Sequence, residues 1–502
     1  MNLYIIKYLL FFLLFPTLLL SQEKYDHIWL ISANVNDPMT LTWKNKDAPD
    51  TATIKVRSQI VIQDPNASIC DRNGNFLFYS SGCAIAGRNY KMLPNGSINP
   101  GLVHHNYCFD DSTNPYPAFN NIVFLPKPND TSRYFLFHTA RADTSIPHVA
   151  LPFQRFYYTE MDVNKGTVGG VVKKNVFLSG DILSEIGPTA CKHSNGQDWW
   201  VIVPSLLTHS YHRALLTENG AFYIGKQGIS KNFGYTKDDW AGQAVFSPDG
   251  TKYVRSDPFN GTYIFDFDRC TGLMSKPIFI DTLGRYSCSG VSISPNSRYL
   301  YIANRDILHQ FDLQATNIPQ SKIEIAKRDS FVTTIGLDIS FYKSMLAPNG
   351  KIYIGSTNGA DWLCVIHQPD EKGKACNFKQ HDFKLPKNYF VGLPNFPHFR
   401  MKKQEGVVCQ PIIATEDKKE ESILHIYPNP TNGLLHIDMR IEVSKTMTWD
   451  LFDTQGKQVF STPLQGGQTA LELPTFLPQG IYFWRVTDGV KLLQSGKLVI
   501  VE

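Results

Sequence analysis

The sequence predicts an all-β fold, in which a β-propeller, with seven blades favoured, precedes a small C-terminal Ig-like β-sandwich. Aromatic residues make up 13% of the chain, and 35 glycines and 30 prolines supply many turns. This composition suits short strands better than long helices. A turn motif also recurs along the middle of the chain, and after Arg400 the residue pattern changes to that of a second, smaller β module.

A Pro-Asp or Pro-Asn turn recurs between an apolar strand end and an aromatic strand, in residues 246–254, 293–302 and 346–354. Proline presets φ and Asp or Asn bonds its own backbone, so each copy predicts a tight turn. The copies lie about 50 residues apart, near the length of a propeller blade. Because one blade is not stable alone, we expect residues 25–400 to close into a ring. Six or eight blades, or a pair of β-sandwiches, are the alternatives.

Two end segments extend this pattern. Residues 78–82 through 92–96 look like a first blade, and residues 392–396 (Gly-Leu-Pro-Asn-Phe) look like a last one. With the turns, they make the region similar to the WD-repeat-like, lactonase-like propellers of secreted bacterial proteins. Turn motifs define a fold rather than an activity, so the resemblance implies the architecture and no particular chemistry.

The first 21 residues predict a secretory signal peptide. Lys7 is the only charged residue before an apolar stretch that ends at Leu20, and Ser21 is a small residue suited to cleavage before Gln22. The alternative is an uncleaved anchor, although the stretch is slightly short for a membrane span. No later stretch is long and apolar enough to cross a bilayer, so we expect no transmembrane segment in the mature chain.

Nine cysteines occur in the chain, and an exported protein meets an oxidising compartment in which disulfides form. Three pairs are close enough in sequence to join neighbouring strands, namely Cys70 with Cys83, Cys270 with Cys288 and Cys364 with Cys376. The odd number leaves at least one thiol over, and the sequence alone does not give the connectivity.

The charge pattern excludes one class of partner. The formal net charge is +4 without a long basic run, whereas nucleic-acid binding needs a clustered basic face. Residues 401–422 are polar and lack periodicity, and their densest charge cluster, residues 416–421, is mixed in sign. We therefore predict a solvated linker over 401–422 and no nucleic-acid partner.

Residues 423–502 predict a separate β module. Pro428 and Pro430 exclude a helix at its start, and Asn432-Gly433 makes a tight turn before alternating strand residues return. Several short strands in so short a module favour a small β-sandwich.

Four signatures follow one another in this module. They are Tyr427-Pro428-Asn429-Pro430-x-x-Gly433, Leu-Phe-Asp-x-x-Gly456-Lys, Gly480-Ile-Tyr482 and Lys497-Leu-Val-Ile. In this order they resemble the type A C-terminal sorting domain of the type IX secretion system. The resemblance covers the whole module, and an ordinary carbohydrate-binding or Ig-like sandwich is the alternative.

The resemblance implies an export route in a Gram-negative bacterium. The signal peptide would take the chain to the periplasm, and the type IX machinery of the outer membrane would then recognise the module. In the family the module is usually removed outside by the system's sortase. The protein would then be secreted or held at the outer-membrane surface.

The propeller sequence lacks the local motifs of serine hydrolases, zinc proteases, dinucleotide-binding proteins and P-loop proteins. We therefore assign no catalytic residue and expect no cofactor, although a site assembled from distant loops would leave no local motif. The weak candidates for metal ligands are His104, His105, Asp110 and Asp111, beside Cys108. A solvated loop is the favoured interpretation, so no metal is predicted.

Aromatic clusters suggest a second kind of site. Trp199 and Trp200, and the aromatic run in residues 153–158, could stack on sugar rings. The favoured alternative is that these rings pack one sheet on the next, because alternating aromatic residues in propeller blades more often have that role.

Three functional hypotheses remain for the propeller. A non-catalytic binding or adhesion scaffold is favoured, because rigid blades present loops for recognition of a surface glycan or protein. The alternatives are a secreted hydrolase, lyase or lactonase, and a structural component of the envelope or motility apparatus. Enzymatic activity is left open, and acidic and histidine residues at the mouth of the ring would favour it.

Overall fold

A computed structural model describes residues 23–32, 38–44, 48–54, 56–108, 115–143, 152–206, 208–229, 239, 241–281, 289–333, 336–357, 360–389, 392–410, 424–439, 447–464, 469–487 and 492–501. The chain forms two compact units, Met1–Ile412 and Ile413–Glu502. Within the described ranges no helix is long and apolar enough to span a membrane.

The N-terminal unit consists of consecutive antiparallel sheets, whose strands follow chain order. The first sheet has three strands, β1 (Ile28–Ser32), β2 (Pro38–Thr42) and β3 (Asp50–Thr53). The second contains β4 (Ala67–Cys70), β5 (Phe76–Ser80), β6 (Ala84–Gly87) and β7 (Met92–Ser97). A short helix, α1 (Leu102–Tyr107), precedes the third sheet, β8 (Ile122–Pro126), β9 (Arg133–Arg141), β10 (Phe153–Asp162) and β11 (Gly170–Leu183).

Four further four-stranded sheets follow. The fourth contains β12 (Thr189–Lys192), β13 (Trp199–Pro204), β14 (Ser210–Thr217) and β15 (Gly220–Gly228). The fifth contains β16 (Gln243–Phe246), β17 (Lys252–Asp257), β18 (Gly261–Asp268) and β19 (Leu273–Ile280). The sixth contains β20 (Gly290–Ile293), β21 (Tyr299–Asn304), β22 (Ile307–Asp312) and β23 (Ile323–Lys327), and the seventh β24 (Ser344–Leu346), β25 (Ile352–Ile354), β26 (Trp362–Ile366) and β27 (Phe378–Lys384).

Burial falls from the first to the last strand of a sheet. In the fourth sheet every residue of β12 and β13 is buried, whereas most of β15 is partly or fully exposed. The sheets pack face to face, and the last meets the first, since the ring of Tyr353 lies 5.0 Å from Trp43 and 6.2 Å from Trp29. A closed ring of radial sheets, of which the first has three described strands and the others four, is the predicted β-propeller.

The recurring turns join the first strand of a sheet to the second. In the fifth sheet the Ser247 hydroxyl donates to the Asp249 carboxylate at 2.5 Å, and the same carboxylate accepts the Thr251 amide at 2.9 Å. Ser294 and Asn296 repeat the first of these bonds at 2.6 Å in the sixth sheet. These turns lie at one end of the ring, which we call the turn face (residues 247–251, 294–298 and 347–351).

Residues 392–410 are called the C-terminal strap, and its first part, around Asn395 and His398, lies at the centre of the ring. The Asn395 side-chain amide donates to the carbonyl oxygens of Ile122 and Pro188, at 2.9 and 3.1 Å, where the innermost strands of the third and fourth sheets begin. Three residues further on, the His398 ring donates from Nε2 to the carbonyl of Phe246 at 2.9 Å, at the end of β16. The strap therefore fills the axial channel.

The two segments predicted as end blades lie elsewhere. Residues 78–82 and 92–96 fall in the second sheet and not in the first. Residues 392–396 form no strand and belong to the strap. Pro394 and Pro397 lack the N–H groups that a strand ladder needs, which explains why this segment packs in the channel instead of pairing.

The disulfides differ from the pairs suggested by sequence proximity. Cys83 is bonded to Cys108, which follows α1, and not to Cys70. Cys270 is bonded to Cys409 at the end of the strap, with a Cα–Cα distance of 5.2 Å, while Cys288 lies outside the described residues. The remaining described cysteines are buried free thiols, namely Cys70, Cys191, Cys364 and Cys376.

Loss of the bond between Cys270 and Cys409 should destabilise the propeller by about 2–4 kcal/mol, because it joins residues 139 apart. We expect Cys409→Ser to lower the urea midpoint of the full chain, followed by tryptophan fluorescence. Cys270→Ser and the double variant should give the same midpoint, since each change removes the same bond. A Cys409→Ser midpoint equal to that of the unmodified chain would contradict the assignment.

The first residues of the predicted linker contact the propeller. Met401 is buried beside Cys191, and the Ser194 hydroxyl donates to the Gln404 side chain. Residues 411–423, which contain the charge cluster, lie outside the described ranges, so the solvated linker stays a prediction there.

The C-terminal unit is a small β-sandwich. One sheet has the order β28 (Leu424–Tyr427), β29 (Leu434–Met439) and β32 (Thr469–Glu472). The other has the order β31 (Gln458–Leu464), β30 (Met447–Phe452), β33 (Gly480–Thr487) and β34 (Leu492–Ile500). Leu435 and Ile437 of the first sheet share one core with Trp449 and Val486 of the second. This is the predicted C-terminal fold.

Candidate functional site

The first sorting signature connects the two ends of the C-terminal unit. Tyr427 ends β28, and the Asn429 side chain then donates to the Lys497 carbonyl at 2.7 Å and accepts the Val499 amide at 2.9 Å. Tyr427 is 41% exposed. The Asn in this signature therefore fixes the opening segment to the final strand, while the tyrosine ring stays at the surface.

The glycines of the signatures lie at turns. Gly433 follows Pro428 and Pro430 and has φ 118°, a backbone conformation that favours glycine. Gly456 has φ 80° in the turn between β30 and β31, and Gly480 opens β33. The Tyr482 hydroxyl donates to the carbonyl of Pro478 at 2.7 Å, and its ring is in the core.

The suggested metal ligands are only partly described. His104 lies in α1 with Nε2 3.0 Å from the Ser97 hydroxyl, His105 is exposed, and Cys108 is in a disulfide. Asp110 and Asp111 lie outside the described residues, as do Ser21 and Gln22. In the part of the chain that the structure describes, no three His, Cys, Asp or Glu side chains form a group able to hold a metal.

The tryptophan candidates for sugar stacking are core residues. Trp199 and Trp200 are 1% and 0% exposed, and Phe153 and Phe156 are equally buried. The Trp200 indole N–H donates to the Arg269 carbonyl at 2.9 Å. The hypothesis that a ligand stacks on these rings is therefore wrong. The alternative, that the rings pack between sheets, is confirmed.

A cavity of about 660 Å³ opens at the turn face. We call it the rim pocket, and its size is within the range of small-ligand sites. The turns after β16, β20 and β24 line one side with Pro248, Asp249, Pro295, Asn296 and Pro348. The same proline turns that predicted the fold therefore build a concave surface.

The strap forms the other side of the rim pocket. Phe396 is largely buried at its base, and Lys402 and Lys403 are exposed at its edge. Arg400 donates from both terminal nitrogens to the two carboxylate oxygens of Asp26. The pocket therefore depends on residues up to 374 positions apart, as Asp26 and Arg400 are, which no local motif reveals.

One histidine of the rim pocket is neutral at physiological pH. Burial lowers the pKa of His398 to about 4, although its bond to the Phe246 carbonyl acts in the opposite direction. That hydrogen bond fixes the orientation of the imidazole ring, and the neutral ring offers a ligand no positive charge. His398 is therefore a structural residue rather than a general acid.

A buried ion pair lies near the starts of the innermost strands, at the end of the ring opposite the turn face. The Lys343 ammonium precedes β24 and donates to Asp64 at 2.6 Å and to the Phe119 carbonyl at 2.7 Å. The two charged side chains are 3% and 8% exposed. Burial lowers the pKa of Lys343 and raises that of Asp64, and the attraction between the two groups opposes both shifts.

A second buried cluster contains one cationic and two acidic side chains. Arg255 lies 3.6 Å from an oxygen of Asp239 and 3.4 Å from one of Asp257, and all three side chains are buried. Burial, with a contribution from Asp239, raises the pKa of Asp257 to about 6. A carboxylic acid with a pKa near neutrality is a feature of many catalytic sites.

A Ser–His–Asp group lies between the third and fourth sheets but lacks the catalytic arrangement. Nε2 of His212 is 3.0 Å from Asp181 and 3.1 Å from Ser205, so carboxylate and hydroxyl face the same ring nitrogen. Nδ1 faces Ser179 and the Tyr223 hydroxyl. In a catalytic triad the serine hydroxyl faces Nε2 and the acid faces Nδ1. Here Asp181 faces Nε2, and both Ser179 and the His212 ring are buried, so these contacts favour a structural network.

Comparison with known proteins identifies the C-terminal unit. Residues 425–501 match the family model described as "Secretion system C-terminal sorting domain". This is the sorting domain of the type IX secretion system, as the four signatures predicted. The protein is therefore exported by that system to the cell surface or the medium. No curated protein matches the chain.

Several solved structures are similar to most of the chain. A functionally unknown protein from Desulfotomaculum acetoxidans is 10% identical, with a TM-score of 0.42 over 74% of this chain and 99% of its own. A putative 6-phosphogluconolactonase from Bacteroides fragilis is 12% identical, with a TM-score of 0.43 over 75% of this chain and 99% of its own. Similarities this distant carry no argument about activity.

Proposed function

We propose that the propeller is a non-catalytic binding module, delivered to the cell surface or outside the cell, which recognises a surface glycan or protein. The observation that carries the proposal is the strap, which fills the channel where the innermost strands meet and leaves the rim pocket at the turn face. The tight turns around this pocket hold its walls rigid, as a recognition surface requires.

The proposal includes the organisation of the precursor. Residues 1–21 form a signal peptide cleaved between Ser21 and Gln22, residues 25–400 the propeller, 401–422 the linker and 423–502 the sorting domain. Residues 401–410 of that linker pack on the propeller as part of the strap. The partners of the sorting domain are the type IX machinery and its sortase. The residues of its signature motifs would carry recognition, namely Tyr427, Pro428, Asn429, Pro430, Gly433, Gly456, Gly480, Tyr482 and Lys497.

A secreted hydrolase, lyase or lactonase is the second candidate. It is favoured by Asp257, whose pKa of about 6 would suit a general acid or base. One observation opposes the enzyme hypothesis. The Asp257 carboxylate accepts hydrogen bonds from the backbone amides of Phe259 and Asn260, at 3.0 and 2.7 Å, and so stabilises the turn between β17 and β18.

A binding and turnover screen separates the two candidates. We expect the purified secreted chain to bind a surface glycan or protein saturably and to leave it chemically unchanged. The isosteric variant Asp257→Asn should bind the same ligand with the same affinity. Turnover of any substrate that is lost in Asp257→Asn would overturn the binding proposal in favour of the enzyme.

A further inference from the structure

The rim pocket carries excess positive charge. Its cationic side chains are Arg269, Arg400, Lys402 and Lys403, whereas its carboxylates are Asp26 and Asp249. His398 is neutral, as described above. The lining therefore has a net charge of about +2 at neutral pH, with four cationic and two anionic side chains. This charge attracts an anionic group.

The two arginines are engaged within the protein. Arg400 is paired with Asp26, and the Arg269 guanidinium donates to the backbone carbonyls of Lys192, Asp249 and Lys402. A guanidinium group can bind a carboxylate or phosphate through two parallel hydrogen bonds. In both arginines these donors already bind groups of the protein.

Lys402 and Lys403 are left to meet a ligand. Both side chains are exposed, and no carboxylate within the described ranges pairs with either. An ammonium group on a flexible stem acts as a point charge and accepts several anion geometries. The ligand's negative charge therefore lies at the edge of the pocket, beside the strap.

The walls suit a compact polyhydroxylated molecule better than a peptide. Three tight turns and a proline-containing strap line the pocket, so it offers a peptide no strand edge to extend. Asn296 and Asp249 are exposed polar side chains at the rim, able to bond hydroxyl groups. The half-buried turn prolines supply apolar surface for the face of a sugar ring.

We infer that the rim pocket binds an anionic saccharide, a sugar carrying carboxylate or sulfate groups, with Lys402 and Lys403 as its charge-recognising residues. The inference rests on the proposed binding function and names the chemical class of its ligand. The acidic group lies against the lysines, and the hydroxyl groups face the turns after β16 and β20.

The test uses the full secreted chain and oligosaccharides of equal length, one neutral, one uronate and one sulfated, with affinities measured by calorimetry. We expect at least one of the two acidic ligands to bind at least tenfold more tightly than the neutral one, with an affinity that falls as salt rises. The double variant Lys402→Gln/Lys403→Gln should lose at least tenfold for that acidic ligand. The comparison of uronate and sulfate identifies which acid the pocket prefers.

A matched control removes the same charge elsewhere. Lys372→Gln/Lys374→Gln changes two exposed lysines near a short 3-10 turn of the seventh sheet, outside the pocket lining, and should leave the affinity unchanged. Equal affinity for neutral and acidic ligands, or acidic binding that survives the Lys402/Lys403 change, overturns the inference. Binding of a protein partner but of no saccharide also overturns it and leaves the proposed function standing.

Discussion

Deleting residues 423–502 is expected to reduce surface delivery of the propeller to background and to trap it in the periplasm. The deleted segment contains the whole sorting domain, whose strands β28 to β34 close one core of their own. Without it the outer-membrane machinery has nothing to recognise, whereas the N-terminal signal still acts. Cell fractionation and surface proteolysis measure the result.

The control for this deletion is the fold of the trapped protein. The truncated chain keeps the strap and Cys409, so the Cys270–Cys409 bond should still form and the periplasmic protein should resist protease. A folded chain that accumulates in the periplasm supports the assigned role of the sorting domain. Surface delivery of the truncated chain at the normal level would refute it.

The second large effect is expected from Lys343→Met, which should destabilise the N-terminal unit by about 3–5 kcal/mol. The variant leaves the Asp64 carboxylate buried without its cation and the Phe119 carbonyl without its donor. Urea denaturation of the full chain, followed by tryptophan fluorescence, measures the loss.

Two controls separate lost charge pairing from lost packing. Lys327→Met removes an exposed lysine, whose pair with Glu324 is 68% and 49% exposed, and should change stability by less than about 0.5 kcal/mol. Asp64→Leu/Lys343→Leu removes both buried charges and should recover part of the loss. A Lys343→Met variant as stable as the unmodified chain would show that the pair does not hold the ring together.

The sequence revealed features formed by neighbouring residues. The Ser-Pro-Asp and Ser-Pro-Asn turns were predictable because each is completed within five residues by its own hydroxyl and carboxylate or amide, as at Ser247 and Asp249. The sorting signatures were also recognisable, since their Asn and Gly positions meet local demands of turn and strand. Most of the propeller and the C-terminal sandwich follow from such local rules.

Features that depend on contacts between distant residues could not be found in this way. Residues 392–396 of the strap were interpreted as part of a last blade, and only the packing of Asn395 against the third and fourth sheets places them in the channel. The partner of Cys270 was likewise hidden, because Cys409 is 139 residues away. The rim pocket is formed in part by the strap, so it has no local sequence signature.

The strap also determines when the ring can be finished. Residues 392–410 are the last of the N-terminal unit to be synthesised, so no shorter N-terminal fragment contains the piece that fills the axis. The bond that fastens them, between Cys270 and Cys409, needs an oxidising compartment. Because the protein is exported, this bond forms after the chain has left the cytoplasm, and the strap is covalently joined to the fifth sheet only then.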